Sequence, residues 1–127
     1  LISKKNKISF RWNEKFPINS LYLMRGFLII DNLKKSRFIA SCFDAYWKDN
    51  LDISIEQNIQ KILLDCEING AFFEKGIKDQ KTKNKLRDLT NEAFKLNVFG
   101  APTFLVNNKL FWGQDRLEYA IDEFQKI

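Results

Sequence analysis

The chain has 127 residues, 45% of them hydrophobic and twelve of them phenylalanine, which is enough apolar surface for one packed core and excludes a disordered chain. Lysine and arginine number 21 against 16 aspartates and glutamates, a net charge of +5, and histidine is absent. That composition excludes His-ligated zinc, Ser-His-Asp or Cys-His machinery, and a histidine general base.

Residues 1–16 read as an irregular, basic lead-in ending at Phe16-Pro17. A helix follows, capped by Asn19 or Ser20, with Leu21, Met24, Phe27, Leu28 and Ile30 mostly at three- and four-residue spacing. In the next segment Phe38, Cys42 and Tyr46, with Ile39, Phe43 and Trp47, make two adjacent rows, predicting one wide apolar helix face buried against neighbours. Ser54 with Gln57 three residues on has the pattern of a capping box, opening a helix that turns Ile55, Ile59, Ile62, Leu63 and Cys66 inward. Asn69-Gly70 breaks it, a short helix over Ala71–Ile77 comes next, and a longer one near Thr82–Leu96 sets Leu86, Leu89, Ala93, Phe94 and Leu96 on one face. The period then changes. Thr103–Val106 and Lys109–Trp112 are β-prone runs joined by Asn107-Asn108, a two-residue hairpin signal because asparagine tolerates positive φ. After Gly113, Asp115 with Glu118 marks another helix start, with Leu117, Ala120, Ile121 and Phe124 facing inward.

The basic clusters, Lys4 to Lys15 and Lys75 to Arg87, carry no nucleic-acid motif and are diluted by Glu74, Asp79 and Asp88, so they read as solvated faces and no nucleic-acid partner is expected. The longest apolar run, Leu21–Ile30, is interrupted by Arg25 and Gly26 and is too short for a bilayer, so no membrane role is expected either. Cys42 and Cys66 form no C-x-x-C pair and offer neither a disulfide scaffold nor a metal site; they read as small buried hydrophobes, and reduced thiols fit a cytoplasmic protein. A lone hairpin is marginal in water, and the apolar Thr103–Val106 suits a buried central strand. With leucine in place of an initiator methionine, this predicts a C-terminal piece of a longer protein whose upstream part holds the rest of a sheet.

The residues richest in chemistry are Val98–Val106 and Leu110–Leu117. Pro102 stands where a strand can begin without breaking its ladder, and a cis Ala101-Pro102 bond would turn the Ala101 amide and carbonyl toward an extended ligand. Asp115 and Arg116 have two readings: a helix cap beside a surface arginine, or a site for an amino-acid-like head group, its carboxylate on free helix amides and Arg116 and its ammonium on Asp115.

Here the string Gly100-Ala101-Pro102-Thr103-Phe104-Leu105-Val106, followed by Leu110-Phe111-Trp112-Gly113-Gln114-Asp115-Arg116-Leu117, resembles the C-terminal part of the 2-hydroxychromene-2-carboxylate isomerases and kappa-class glutathione transferases. These are a branch of the DsbA-like thioredoxin superfamily. Phe16-Pro17-Ile18-Asn19-Ser20-Leu21 with Arg25, then Asp52-Ile53 and Thr90, extend the resemblance over essentially the whole chain. It implies an α/β, thioredoxin-like (DsbA-like) fold with a helical insertion: here residues 1–97 would be the helical insert with a partial lead-in, and residues 98–127 the end of the thioredoxin-like domain. It implies glutathione as cofactor, its cysteinyl backbone paired with the main chain at Ala101 before cis-Pro102 and its γ-glutamyl end at Gln114, Asp115 and Arg116. Asn19 would border the cleft, with Phe16 and Trp112 lining it. The implied substrate is a small aromatic 2-oxo or chromene acid, and the implied assembly a homodimer. The family's activating serine, at an N-terminal strand–helix junction, has no counterpart here, and Ser3, Ser9 and Ser20 lie in the wrong context. A C-terminal fragment lacking that catalytic residue is therefore expected; a dithiol–disulfide oxidoreductase of the same fold and a non-catalytic binding module are the alternatives.

Overall fold

The computed structural model describes residues 2–127. They form two compact units, one up to Leu86 and one from Arg87 to Ile127.

The first unit is helical: α1 (Ile2–Lys5), α2 (Leu21–Ile29), α3 (Asn32–Trp47), α4 (Glu56–Asp65), α5 (Gly70–Lys78) and the first part of α6 (Gln80–Lys95). Its starts are written in short polar side chains. Asp31 accepts the Leu33 amide at 2.8 Å to open α3, and Asn69 accepts the Phe72 amide at 2.9 Å to open α5. The core is a single cluster that includes Leu23, Phe38, Tyr46, Ile62, Leu63, Cys66 and Phe73. Two glycines let α2 and α5 approach closely: a Cβ on Gly26 would lie 2.0 Å from the Phe73 ring, and one on Gly76 would lie 2.2 Å from Ile29. The lead-in is pinned by Asn13, which is fully buried. Its Nδ2 donates to the carbonyls of Tyr46 (2.8 Å) and Leu51 (2.9 Å), and its Oδ1 accepts the Lys15 amide (2.7 Å). A buried amide so fully satisfied ties residues far apart in sequence at little desolvation cost.

Several expectations for this unit need correction. The lead-in contains a short helix, α1, where an irregular segment was expected. The capping box does not form. Asp52 draws Ser54 to itself, accepting its amide at 3.0 Å and its hydroxyl at 2.5 Å, so α4 starts at Glu56 and Ile55 is left exposed. The wide face of α3 is buried on one side only: Phe38 and Tyr46 are in the core, but Ile39 and Phe43 are exposed. Helical period reports that a face is apolar, not that a neighbour covers it. The cysteine reading holds, with Cys66 buried and Cys42 half-buried.

The second unit holds the rest of α6, strands β1 (Thr103–Val106) and β2 (Lys109–Trp112), a 3-10 turn at Gln114–Arg116, and α7 (Leu117–Phe124). The hairpin is the one expected: Asn107 and Asn108 take φ of 50° and 59°, and Thr103 pairs with Trp112 through to Val106 with Lys109. Among the described residues β1 pairs with β2 alone and Leu105 is exposed, so the buried central position expected for this strand is not formed by these residues. The inward face of α6 is likewise open at Leu89, Phe94 and Leu96, and on α7 Ala120 is buried while Leu117, Ile121 and Phe124 are exposed. Asp115 is not a helix cap either. α7 begins at Leu117 without a side-chain cap, and the Asp115 carboxylate folds back beside Gly113. Among the described residues no helix is long and apolar enough to cross a membrane.

Gly26 decides the α2–α5 contact against its own intrinsic preference. Alanine gains up to about 1 kcal/mol over glycine inside a helix, but its Cβ would collide with a ring that is itself locked in the core. Gly26→Ala is therefore expected to lower stability by about 1–3 kcal/mol in urea unfolding followed by tryptophan fluorescence. A stabilised variant would contradict the close packing.

Candidate functional site

The second unit gathers six of the eight sequence-flagged residues around one cavity. A space of about 370 Å³ is lined by Ala101, Pro102, Trp112, Gly113, Gln114, Asp115 and Arg116. Residues ten or more positions apart meet there because the hairpin folds Trp112 back onto Thr103 and the Gly113 amide then donates to the Pro102 carbonyl at 2.9 Å. The Ala101-Pro102 peptide bond is cis, as is Phe16-Pro17. The Thr103 hydroxyl donates to the Gly100 carbonyl at 2.5 Å, fixing the loop on its other side.

Two glycines shape the cavity, and the sequence reading had them only as part of the family string, with no role of their own. A Cβ on Gly100 would lie 2.4 Å from Nε1 of Trp112, so the bare α-carbon is what lets the indole lie against the loop. Phe99 flanks the same indole with ring centroids 5.0 Å apart. Gly113 has φ of 104°, a conformation that side chains rarely adopt, and the Asp115 carboxylate occupies the space a Cβ would take. Glycine directly before Ala-Pro and directly after a β-run was the available signal.

The polar groups are free for a ligand. Among the described residues no hydrogen bond reaches the Ala101 amide or carbonyl, nor the amides of Gln114 and Asp115. Asp115 and Arg116 have exposed side chains and form only a loose pair, 3.8 Å from oxygen to nitrogen, while the Arg116 guanidinium sits 5.6 Å over the Tyr119 ring. The cavity thus offers unpartnered main-chain groups at Ala101 and side chains of both charge signs at Asp115 and Arg116.

The remaining two candidates lie in the first unit. Asn19 is exposed, and its Oδ1 accepts the Leu21 amide at 3.0 Å at the start of α2. Phe16 belongs to an apolar groove of about 530 Å³ between α2 and α3, with Pro17, Met24, Phe27, Ile39 and Phe43 among its walls and no charged side chain in its lining. Trp12, Phe16 and Trp47 pack along its edge with tilted rings, centroids 5.0 to 6.4 Å apart. Cys42 also lines this groove; burial, reinforced by the neighbouring Cys66, pushes its thiol up to about 12, so it is a packing group and not a thiolate nucleophile.

Comparison with known proteins gives the family and the fold. A family model described as a DSBA-like thioredoxin domain matches residues 1–125. The chain belongs to that family. Within it, the chain is similar to 2-hydroxychromene-2-carboxylate isomerases of Sphingobium xenophagum (22% identical over 82 residues, 65% of this chain and 42% of that protein) and Pseudomonas sp. strain C18 (25% over 80 residues, 63% and 38%). A solved structure of a selenomethionine 2-hydroxychromene-2-carboxylate isomerase superposes with a TM-score of 0.84 at 18% identity, over 98% of this chain and 61% of that one. The fold is therefore the DsbA-like thioredoxin fold, mostly helical over this stretch with a two-stranded sheet. The matches span about two fifths of the curated relatives' length.

One further residue stabilises the site's scaffold. Glu123, buried on α7, accepts Nζ of Lys109 at 2.8 Å, Nδ2 of Asn107 at 3.1 Å and Nζ of Lys126 at 3.3 Å. These donors, Lys109 first, hold its carboxyl down at about 2, against an ordinary value near 4.5. A depressed folded value gives stability that is present above the unfolded value and is lost as pH falls toward the folded one. The second unit is thus expected to loosen between about pH 4.5 and about pH 2, read by the fluorescence of its one tryptophan, Trp112. Glu123→Gln is expected to flatten that transition, and an unchanged acid profile would contradict the assignment.

Proposed function

We propose that this chain carries the glutathione-binding portion of a 2-hydroxychromene-2-carboxylate isomerase-like protein. The observation that carries the reading is the pairing, around one cavity, of an unpartnered Ala101 main chain with the exposed Gln114-Asp115-Arg116 turn. A tripeptide with a γ-glutamyl head needs that combination. Its extended backbone seeks an amide and a carbonyl, as an added strand does at a sheet edge. Its head group carries a carboxylate for Arg116 and the free amides of Gln114 and Asp115, and an ammonium for the Asp115 carboxylate. Trp112, held flat by Gly100, closes the side of the cavity between these two ends.

The chemistry glutathione supplies in such a site is a reversible sulfur nucleophile for an unsaturated aromatic 2-oxo or chromene acid. What this chain's residues do is bind and orient. The second unit contains no serine, cysteine or histidine, so no side chain of those types stands in it to activate a sulfur. On this reading the activating serine lies outside the described residues, and the 127-residue chain binds without turning over substrate.

Isothermal titration of the 127-residue chain with reduced glutathione is expected to show binding. Asp115→Ala and Arg116→Ala are each expected to weaken it by about tenfold, as the loss of one charge-assisted contact does, with no isomerase turnover by the chain itself. Absence of binding, or binding indifferent to both substitutions, would leave a non-catalytic module as the reading. Measurable turnover would overturn the assignment of the activating group.

A further inference from the structure

The turn that carries Gln114, Asp115 and Arg116 is held by very little of its own. It leaves β2 through Gly113, the positive-φ glycine, and passes straight into α7. Its internal bonds are local: the Arg116 amide to the Gly113 carbonyl at 3.1 Å, and the Leu117 amide to the Gln114 carbonyl. The position of the turn relative to Ala101 therefore follows from the direction of α7 relative to the hairpin. Two pins set that direction. The near pin is the Gly113 amide on the Pro102 carbonyl. The far pin is Glu123, six residues into α7, roughly 9 Å along the axis at the usual helical rise, gripping Asn107 and Lys109 at the hairpin tip. Between the pins the helix rests on the hairpin through Ala120, a small buried side chain with no polar group of its own to fix a register.

We propose that Glu123 is a positioning residue for the Gln114–Arg116 turn, fixing α7 against the hairpin so that the turn faces Ala101 in one register. Burying a carboxylate at this place is costly unless it is fully partnered, and an apolar side chain would fill the same volume. What it would not supply is direction. Hydrogen bonds to Asn107 in the turn and Lys109 on β2 are met in one alignment of α7, whereas an apolar contact tolerates slippage. A binding constellation has to be held within about 0.5 Å to work, and a helix released at its far end pivots at Gly113. The ligand readout of this inference rests on the glutathione reading; its structural readout does not.

The test uses the 127-residue chain, with Glu123→Ala and Glu123→Gln. Two quantities are read: the amide NMR shifts of Gln114, Asp115 and Arg116 without ligand, and the dissociation constant for reduced glutathione. Glu123→Ala is expected to move all three amides and to weaken glutathione by about tenfold, the scale on which small misplacements act. Glu123→Gln keeps an acceptor oxygen for Asn107 and Lys109; it is expected to leave the amides near their original positions and affinity within about threefold. A merely structural role would lower the unfolding temperature but leave the amides and the affinity of the folded protein unchanged, and that result would overturn the proposal. Should Glu123→Ala fail to fold, Lys109→Ala removes the nearest donor from the exposed side and leaves the Asn107-Asn108 turn intact, with shifts of the same three amides expected. If the unsubstituted chain does not bind glutathione, the functional reading fails, and the three amides still decide whether Glu123 positions the turn.

Discussion

One main-chain hydrogen bond, from the Gly113 amide to the Pro102 carbonyl at 2.9 Å, closes the second unit into a site. Without it the Ala101 loop and the Gln114–Arg116 turn are simply the two ends of a hairpin. With it they face one cavity. The bond forms only because the register upstream is right: Asn107 and Asn108 both adopt positive φ, the two-residue turn sets Thr103 opposite Trp112, and Gly113 follows in the one conformation that brings its amide round. Shifting the pairing by a single residue would turn each strand over and carry Trp112 away from Gly100.

The first unit depends on a constraint of a different kind. Asn13 is wholly buried, and its three hydrogen bonds hold the lead-in against the end of α3 and the segment after it. That placement brings Phe10, Trp12 and Phe16 into contact with or beside Trp47, building an aromatic edge along the groove between α2 and α3. Gly26 and Gly76 let α5 close on the other side of α2. The unit thus has a dense core that opens, at Leu23, Phe38, Tyr46 and Ile53, into an apolar groove.

How much of this was legible depends on how local the cause is. The hairpin, its Asn-Asn turn, the break at Asn69-Gly70 and the buried row Ile59, Ile62, Leu63 and Cys66 all follow from spacing and from side chains acting on their own backbone, and they were read correctly; that Asn69 also caps α5 was not read. The family was legible because Gly100–Val106 and Leu110–Leu117 combine glycines, a proline and a charged turn that few sequences share. Coverage of apolar faces was not legible: Ile39, Phe43, Phe94 and Phe124 sit on well-formed stripes that stay exposed in this chain, because period says nothing about the partner. The Ser54 cap failed against a competitor two residues away, Asp52. Glu123 was invisible because its donors are fourteen and sixteen residues distant and become neighbours only once α7 lies on the hairpin.

On the proposed reading the site orders a tripeptide, a task that needs no histidine and no nucleophile of its own. The central claim is that the free Ala101 main chain is a ligand-pairing edge. NMR-detected hydrogen exchange at the Ala101 amide, with and without reduced glutathione, tests it most directly. The amide, unpartnered in the free chain, is expected to exchange quickly on its own and to become protected when glutathione is added, together with the amides of Gln114 and Asp115. Exchange at Ala101 that is already slow, or that glutathione leaves unchanged while other amides respond, would contradict the account.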